Sequence, residues 1–109
     1  MYNTIGPGLL ESAYEAALVY ELNKLNLDVQ SQLVLPMIYD SVRVDAAYRI
    51  NILVNKKVII EIKSVEYLLD VHHKQLLTYW RLSGKKMGIL VNFNCAEIDK
   101  NIFRKVNSL

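Results

Sequence analysis

The sequence predicts a mixed α/β domain, one β-sheet with helices packed on it. Three observations carry this. Residues 9 to 26 repeat apolar side chains at helical spacing. Residues 42 to 54 alternate with a period of two. A short apolar run, Val58 to Lys63, follows the turn Asn55-Lys56-Lys57. The spacing of signals gives the order helix, three strands, helix, strand, helix.

Gly6-Pro7-Gly8 reads as a turn leading into the first helix, where Glu11 suits the positive helix end. Leu10, Ala13, Ala17 and Tyr20 recur along that helix, with Tyr14 and Leu18 beside them. Glu11 and Glu15, four apart, mark one polar face. The first strand runs from about Val29 to Tyr39, with Val29, Leu33, Leu35 and Met37 on one face. Pro36 makes it an edge or bulged strand. Asp40-Ser41 is a turn.

The second strand places Val42, Val44, Ala46, Tyr48, Ile50, Ile52 and Val54 on one face. Arg43, Asp45, Arg49 and Asn51 fall on the other. A three-residue loop sets Val54 opposite Val58, and counting back sets Asn51 opposite Glu61; a two-residue loop breaks that register. The second helix spans 70 to 83, with Asp70 as N-cap and Ser83-Gly84 as stop. Met87 to Asn92 is a short strand. Residues 97 to 107 read as a terminal amphipathic helix carrying Ile98, Ile102, Phe103 and Val106.

The chain has 109 residues, enough for one domain with a core, and 52 % of them are apolar. A net charge of +2 excludes strong attraction to polyanions through bulk charge, so nucleic acid requires a local patch. The lone Cys95 forms no internal disulfide and reads as structural. Together with a start lacking signal-peptide shape, it points to the cytoplasm. No run is long enough to span a membrane, so no membrane partner is expected.

The chemistry concentrates at Glu61-Ile62-Lys63. Glu61 and Lys63 share a strand face. A carboxylate beside an ammonium at the end of an apolar strand suits cation-assisted phosphodiester hydrolysis. Glu61 and the Ile62 carbonyl offer oxygens to a hard cation, and Lys63 steadies developing negative charge. Glu-x-Lys alone is common, and by itself a solvated ion pair is the commoner reading. On the second helix, Gln75 and Tyr79 share one face. His72 and His73 diverge and do not chelate together, and Trp80 suits the core. The pairs Lys56-Lys57 and Lys85-Lys86 lie at turns, where such lysines are usually solvated.

The assembled blocks resemble one family. Gly8-Leu9-Leu10-Glu11-Ser12-Ala13-Tyr14 is similar to the Gly-x-x-Glu-x-x-Tyr signature of the GxxExxY proteins. Tyr48-Arg49-Ile50-Asn51, Glu61 to Glu66, Gln75 to Tyr79 and Val91-Asn92-Phe93 resemble its later blocks. That family looks like a branch of the PD-(D/E)XK nuclease superfamily. The resemblance implies a restriction-endonuclease-like core over residues 1 to 109, and metal-dependent hydrolysis of nucleic acid, with DNA as the expected partner. It places Glu11, Asn51, Glu61 and Ile62 around Mg²⁺ or Mn²⁺. Glu61, Lys63, Gln75 and Tyr79 become its catalytic set.

Two departures from the family pattern stand out. Asn51 occupies the position of the metal-binding Asp, which implies weak cation binding and a weakened or inactive site. Asp45, six residues earlier on the strand, lies about 20 Å away at a strand rise of roughly 3.3 Å per residue, so Glu11 is the better compensating carboxylate. The family usually carries a helix before Gly-Pro-Gly, and Met1 to Ile5 reads as its end. Without that helix, uncovered apolar surface favours self-association. The competing expectation is a non-catalytic nuclease-fold domain that binds nucleic acid or a protein.

Overall fold

Two left-handed turns fix the central β-meander. Asp40 and Ser41 adopt φ of 48° and 67°, the conformation a two-residue hairpin turn needs. They join β1 (Val29–Tyr39) to β2 (Val42–Val54). Asn55 and Lys56 adopt φ of 52° and 57°, and the Lys57 N–H closes onto the Val54 carbonyl at 3.0 Å. Val54 therefore faces Val58 at the start of β3 (Val58–Lys63), as the three-residue loop predicts.

The computed structural model describes residues 6–83, 87–94 and 98–106. Expectations for Met1 to Ile5, Gly84, Lys85-Lys86 and Cys95, and for the side chains of Asp45 and Trp80, lie outside the described residues. Helix α1 covers Glu11–Lys24, α2 covers Asp70–Ser83, and β4 covers Met87–Asn92. The sheet has five strands in the order β1-β2-β3-β4-β5. It is mixed: β3 and β4 are parallel, and the other neighbours are antiparallel.

The last element corrects the sequence reading. The sequence expects a helix over 97 to 107, and the described residues 98–106 of that span do not form one. A 3₁₀ turn at Ile98–Asn101 leads into β5 (Ile102–Val106), which pairs with β4 from Met87↔Val106 to Val91↔Ile102. The ladder gives β4 a second neighbour, and an edge strand's unpaired groups outweigh a short helical pattern. Pro36 behaves as expected. β1 is an edge strand, and its register shifts between Leu35 and Met37.

Helices cover both faces of the sheet. On one side Tyr14, with Leu18, Val19 and Leu22 of α1, packs on Ile52, Val54, Ile60 and Ile62. On the other Leu76 of α2 packs on Leu53, Ile59 and Leu90, with Tyr79 and Phe103 beside it. Covered on both faces, β3 is apolar from Val58 to Ile60 and again at Ile62, with Glu61 and Lys63 as its two charged positions.

One face assignment changes along β1 and β2. Val29, Ile52 and Val54 belong to the α1-side core, whereas Leu33, Leu35 and Ile50 belong to the α2-side core. The switch falls at Gln32 and Asn51. Pairing skips these two residues, and Gln32 takes φ of +52°. A local kink in both strands moves the residues before and after it onto opposite faces.

Candidate active site at the parting of two strands

The β2–β3 ladder runs from Val54↔Val58 to Ile52↔Ile60 and stops there. Side chains take over beyond that point. Asn51 N–H donates to Glu61 Oε1 at 3.3 Å, and Ile62 N–H donates to Asn51 Oδ1 at 2.9 Å. Asn51 thus faces Glu61, as its register predicts. Its amide oxygen replaces the carbonyl that a continuing ladder would present to Ile62. The N–H and C=O of one strand residue point to the same side. The Ile62 carbonyl therefore also faces the gap where β2 leaves β3.

Glu61 is 3 % exposed. Among the described residues no donor reaches its Oε2. Burial pushes its pKa from 4.5 up to about 7. The Asn51 N–H and the Lys63 ammonium oppose that rise, while the Glu11 and Glu15 carboxylates add to it. Lys63, Glu11 and Glu15 therefore all lie within electrostatic reach of Glu61.

The first helix reaches this point through a tethered turn. Gly6 and Gly8 take φ of +72° and +99°, which glycine alone adopts freely. Tyr14 OH donates to the Gly6 carbonyl at 2.6 Å and accepts from Leu9 N–H at 3.2 Å. Tyr14 also stacks on Phe93, with ring centroids 4.6 Å apart. Ser64 Oγ donates to the Leu9 carbonyl at 2.6 Å, tying the turn to the segment after β3. These contacts hold Glu11 at the start of α1 against a cleft of about 220 Å³, lined by Glu11, Ser12, Glu15, Gln32 and Asn51.

The sequence-derived set divides into two groups. Glu11, Asn51, Glu61 and Lys63 come together with the Ile62 backbone. Gln75 donates to Tyr79 OH at 2.9 Å, and the two line a separate hollow of about 400 Å³ on α2 with His72 and Lys74. His72 Nδ1 accepts from Leu69 N–H and closes the helix start, while His73 stands edge-on to Phe103, so neither histidine joins the site.

Sequence reasoning missed four contributors. Glu15 and Gln32 line the cleft, Ser64 ties the turn before α1 to the segment after β3, and Asn92 braces that same segment at Val65. Asn92 is 1 % exposed; its Oδ1 accepts from Val65 and Asn94 N–H, and its Nδ2 donates to the Val65 carbonyl. A polar residue closing an apolar strand is the available signal for Asn92, whereas Gln32 lies in the polar run Gln30-Ser31-Gln32 and carries no such mark.

A family model described as the PD-(D/E)XK nuclease superfamily matches residues 1–105. The chain belongs to that superfamily. Among curated proteins and solved structures, none matches it at a significant level. The mixed sheet with helices on both faces agrees with the restriction-endonuclease-like core of this superfamily.

Nucleases of this kind typically use divalent cations, and the donors here suit a hard one. Glu61 is a buried carboxylate with a spare oxygen, and the Ile62 carbonyl shares its gap. Among the described residues no group of three or more His, Cys, Asp or Glu is arranged to hold a metal ion. The donor set is chemically right but short of charge. No described helix is long and apolar enough to cross a membrane.

Proposed function

We propose that this chain is a nuclease of the GxxExxY type that hydrolyses phosphodiester bonds of DNA, with its cation affinity reduced by Asn51. One observation carries the reading: the buried Glu61 carboxylate, one oxygen free, faces the gap between β2 and β3 with Lys63 nearby. Glu61, the Ile62 carbonyl, Glu11 and the remaining lone pair of Asn51 Oδ1 would hold Mg²⁺ or Mn²⁺. The bound cation supplies Lewis acidity toward phosphate and water. Lys63 steadies negative charge growing on the phosphate. Gln75 and Tyr79 orient the nucleic-acid strand. Asn51 keeps the strand gap in shape through the Ile62 N–H but adds no charge, so cation binding is weak.

The test is cleavage of end-labelled single- and double-stranded DNA with Mg²⁺ or Mn²⁺. The wild-type chain should cut, and Glu61→Ala and Lys63→Ala should not. Residual cutting equal in all three proteins sinks the proposal.

A specific observation favours a second reading. Asn51 Oδ1 is already engaged, and the charge of a full carboxylate set is missing. On this reading the domain binds nucleic acid or a protein without cutting. DNA binding that is equal with and without cation, and indifferent to Lys63→Ala, decides for it.

A further inference from the structure

The strained point of the sheet carries a second polar device, beside the Glu61 gap. Gln32 sits at φ +52°, an unfavourable conformation for a residue with a side chain. Such strain persists where surrounding contacts demand it. Here they run through the Gln32 amide. Its Nε2 donates to Glu15 Oε1 at 2.7 Å, and its Oε1 accepts from Arg49 Nη1 at 3.3 Å. Glu15 and Gln32 line the acidic cleft, and Arg49 is exposed at its rim.

The electrostatics of this chain of contacts are specific. Among the described residues Arg49 forms no ion pair with a carboxylate. A neutral amide stands between it and Glu15. The guanidinium is thus oriented by an acceptor that leaves its charge intact, with further N–H donors facing solvent. A planar, uncompensated guanidinium matches the two free oxygens of a phosphodiester. Arg49 is two residues from Asn51 on β2, about 6.6 Å along a strand. The cleft itself, with Glu11 and Glu15, repels phosphate. A positive group at the rim offsets that repulsion where the backbone enters.

The geometry points to Arg49, aimed by Gln32, as a clamp for a nucleic-acid backbone phosphate next to the one held at Glu61 and Lys63. This rests on the nucleic-acid reading above and adds the residue that anchors the neighbouring phosphate. Gln32 is a positioning residue that acts through Arg49.

The experiment is fluorescence anisotropy of a labelled single-stranded oligodeoxynucleotide in EDTA, over a range of salt, with thermal melts of each protein. Arg49→Ala should bind about tenfold more weakly, the loss of one charge-assisted contact. Its log affinity against log salt should be shallower by about 0.7, one phosphate contact on a single strand. Arg49→Lys should keep the slope and recover part of the affinity. Gln32→Gly accepts the positive φ without strain, so it should weaken binding while keeping the slope. If Arg49→Ala unfolds, the Arg49→Lys and Gln32→Gly pair decides, because both keep the backbone. Unchanged affinity and slope in a folded Arg49→Ala protein overturn the clamp, even if the wild-type chain cuts DNA. Binding through Arg49 with no cutting upholds the clamp and sinks hydrolysis alone. A wild-type chain that neither binds nor cuts overturns both.

Discussion

Asn51 and Glu61 meet across the gap between β2 and β3, the Asn51 N–H donating to Glu61 Oε1 at 3.3 Å while Asn51 Oδ1 accepts from Ile62 N–H at 2.9 Å. The side-chain bond needs only an acceptor, which a carboxylate also provides. Asn51→Asp should therefore preserve the backbone at this point. It adds a negative charge beside Glu61, Glu11 and Glu15, however, and like charges this close disfavour one another. In EDTA the variant should be less stable than the wild-type chain by about 1–2 kcal/mol, the scale of one pKa unit of repulsion. With Mn²⁺ the order should reverse, because a ligand that binds only the folded state stabilises it. Thermal melts with and without Mn²⁺, backed by titration calorimetry, check this. Equal Mn²⁺ stabilisation of both proteins rules out a cation between the two positions.

The raised pKa of Glu61 gives stability a definite pH dependence. Its folded value of about 7 lies above the ordinary 4.5. Between these values the folded chain keeps a proton that the unfolded chain has released. Stability is therefore fully present below about pH 4.5, falls as pH rises, and levels off above about pH 7. The decline attributable to this group is about 3 kcal/mol, the cost of ionising a desolvated carboxylate. Glu61→Gln should lack it. Urea titrations of both proteins at about pH 5 and about pH 8 measure the difference. A wild-type slope matching that of Glu61→Gln assigns the effect to other carboxylates.

Tyr14 joins the turn before α1 to the core. Its hydroxyl serves both the Gly6 carbonyl and the Leu9 N–H, and its ring stacks on Phe93. Tyr14→Phe keeps the stack and loses both hydrogen bonds, so it should cost about 1–3 kcal/mol. Tyr14→Ala should cost about 3–5 kcal/mol, because it also empties a fully buried site. Denaturant midpoints measure both. If Tyr14→Phe matches the wild type, the hydroxyl does not fix the turn that carries Glu11.

Much of this site is legible in the sequence because its parts are local or register-bound. The period of two in β2 and the three-residue loop are enough to set Asn51 against Glu61. The Glu11 and Glu15 spacing puts two carboxylates on one helix face. What is not legible depends on distant partners. The kink at Gln32 and Asn51 reverses a face in two strands at once, and neither strand's own pattern records it. Ile98, Ile102, Phe103 and Val106 fit a helix, yet residues 102–106 complete the ladder beside β4. In so short a segment the neighbouring strand outweighs the local period.

Gly88 sets how closely α2 approaches the sheet. It lies in β4 opposite Ile59, and a Cβ at this position would stand 2.9 Å from Leu76 Cδ1 and 3.3 Å from Cγ. Leu76 is fully buried, so its side chain lacks room to swing away. Gly88→Ala should cost about 1–3 kcal/mol through overpacking, although alanine favours a strand over glycine. Leu76→Ala should cost about 2–5 kcal/mol by leaving a cavity. The added methyl fills part of that cavity, so the double variant should be more stable than the sum of the single losses implies. A double-mutant cycle from denaturant unfolding gives the coupling. Strict additivity means that the helix and Gly88 are not in the close contact described, and that another feature sets the height of α2, with Gln75 and Tyr79, above β3.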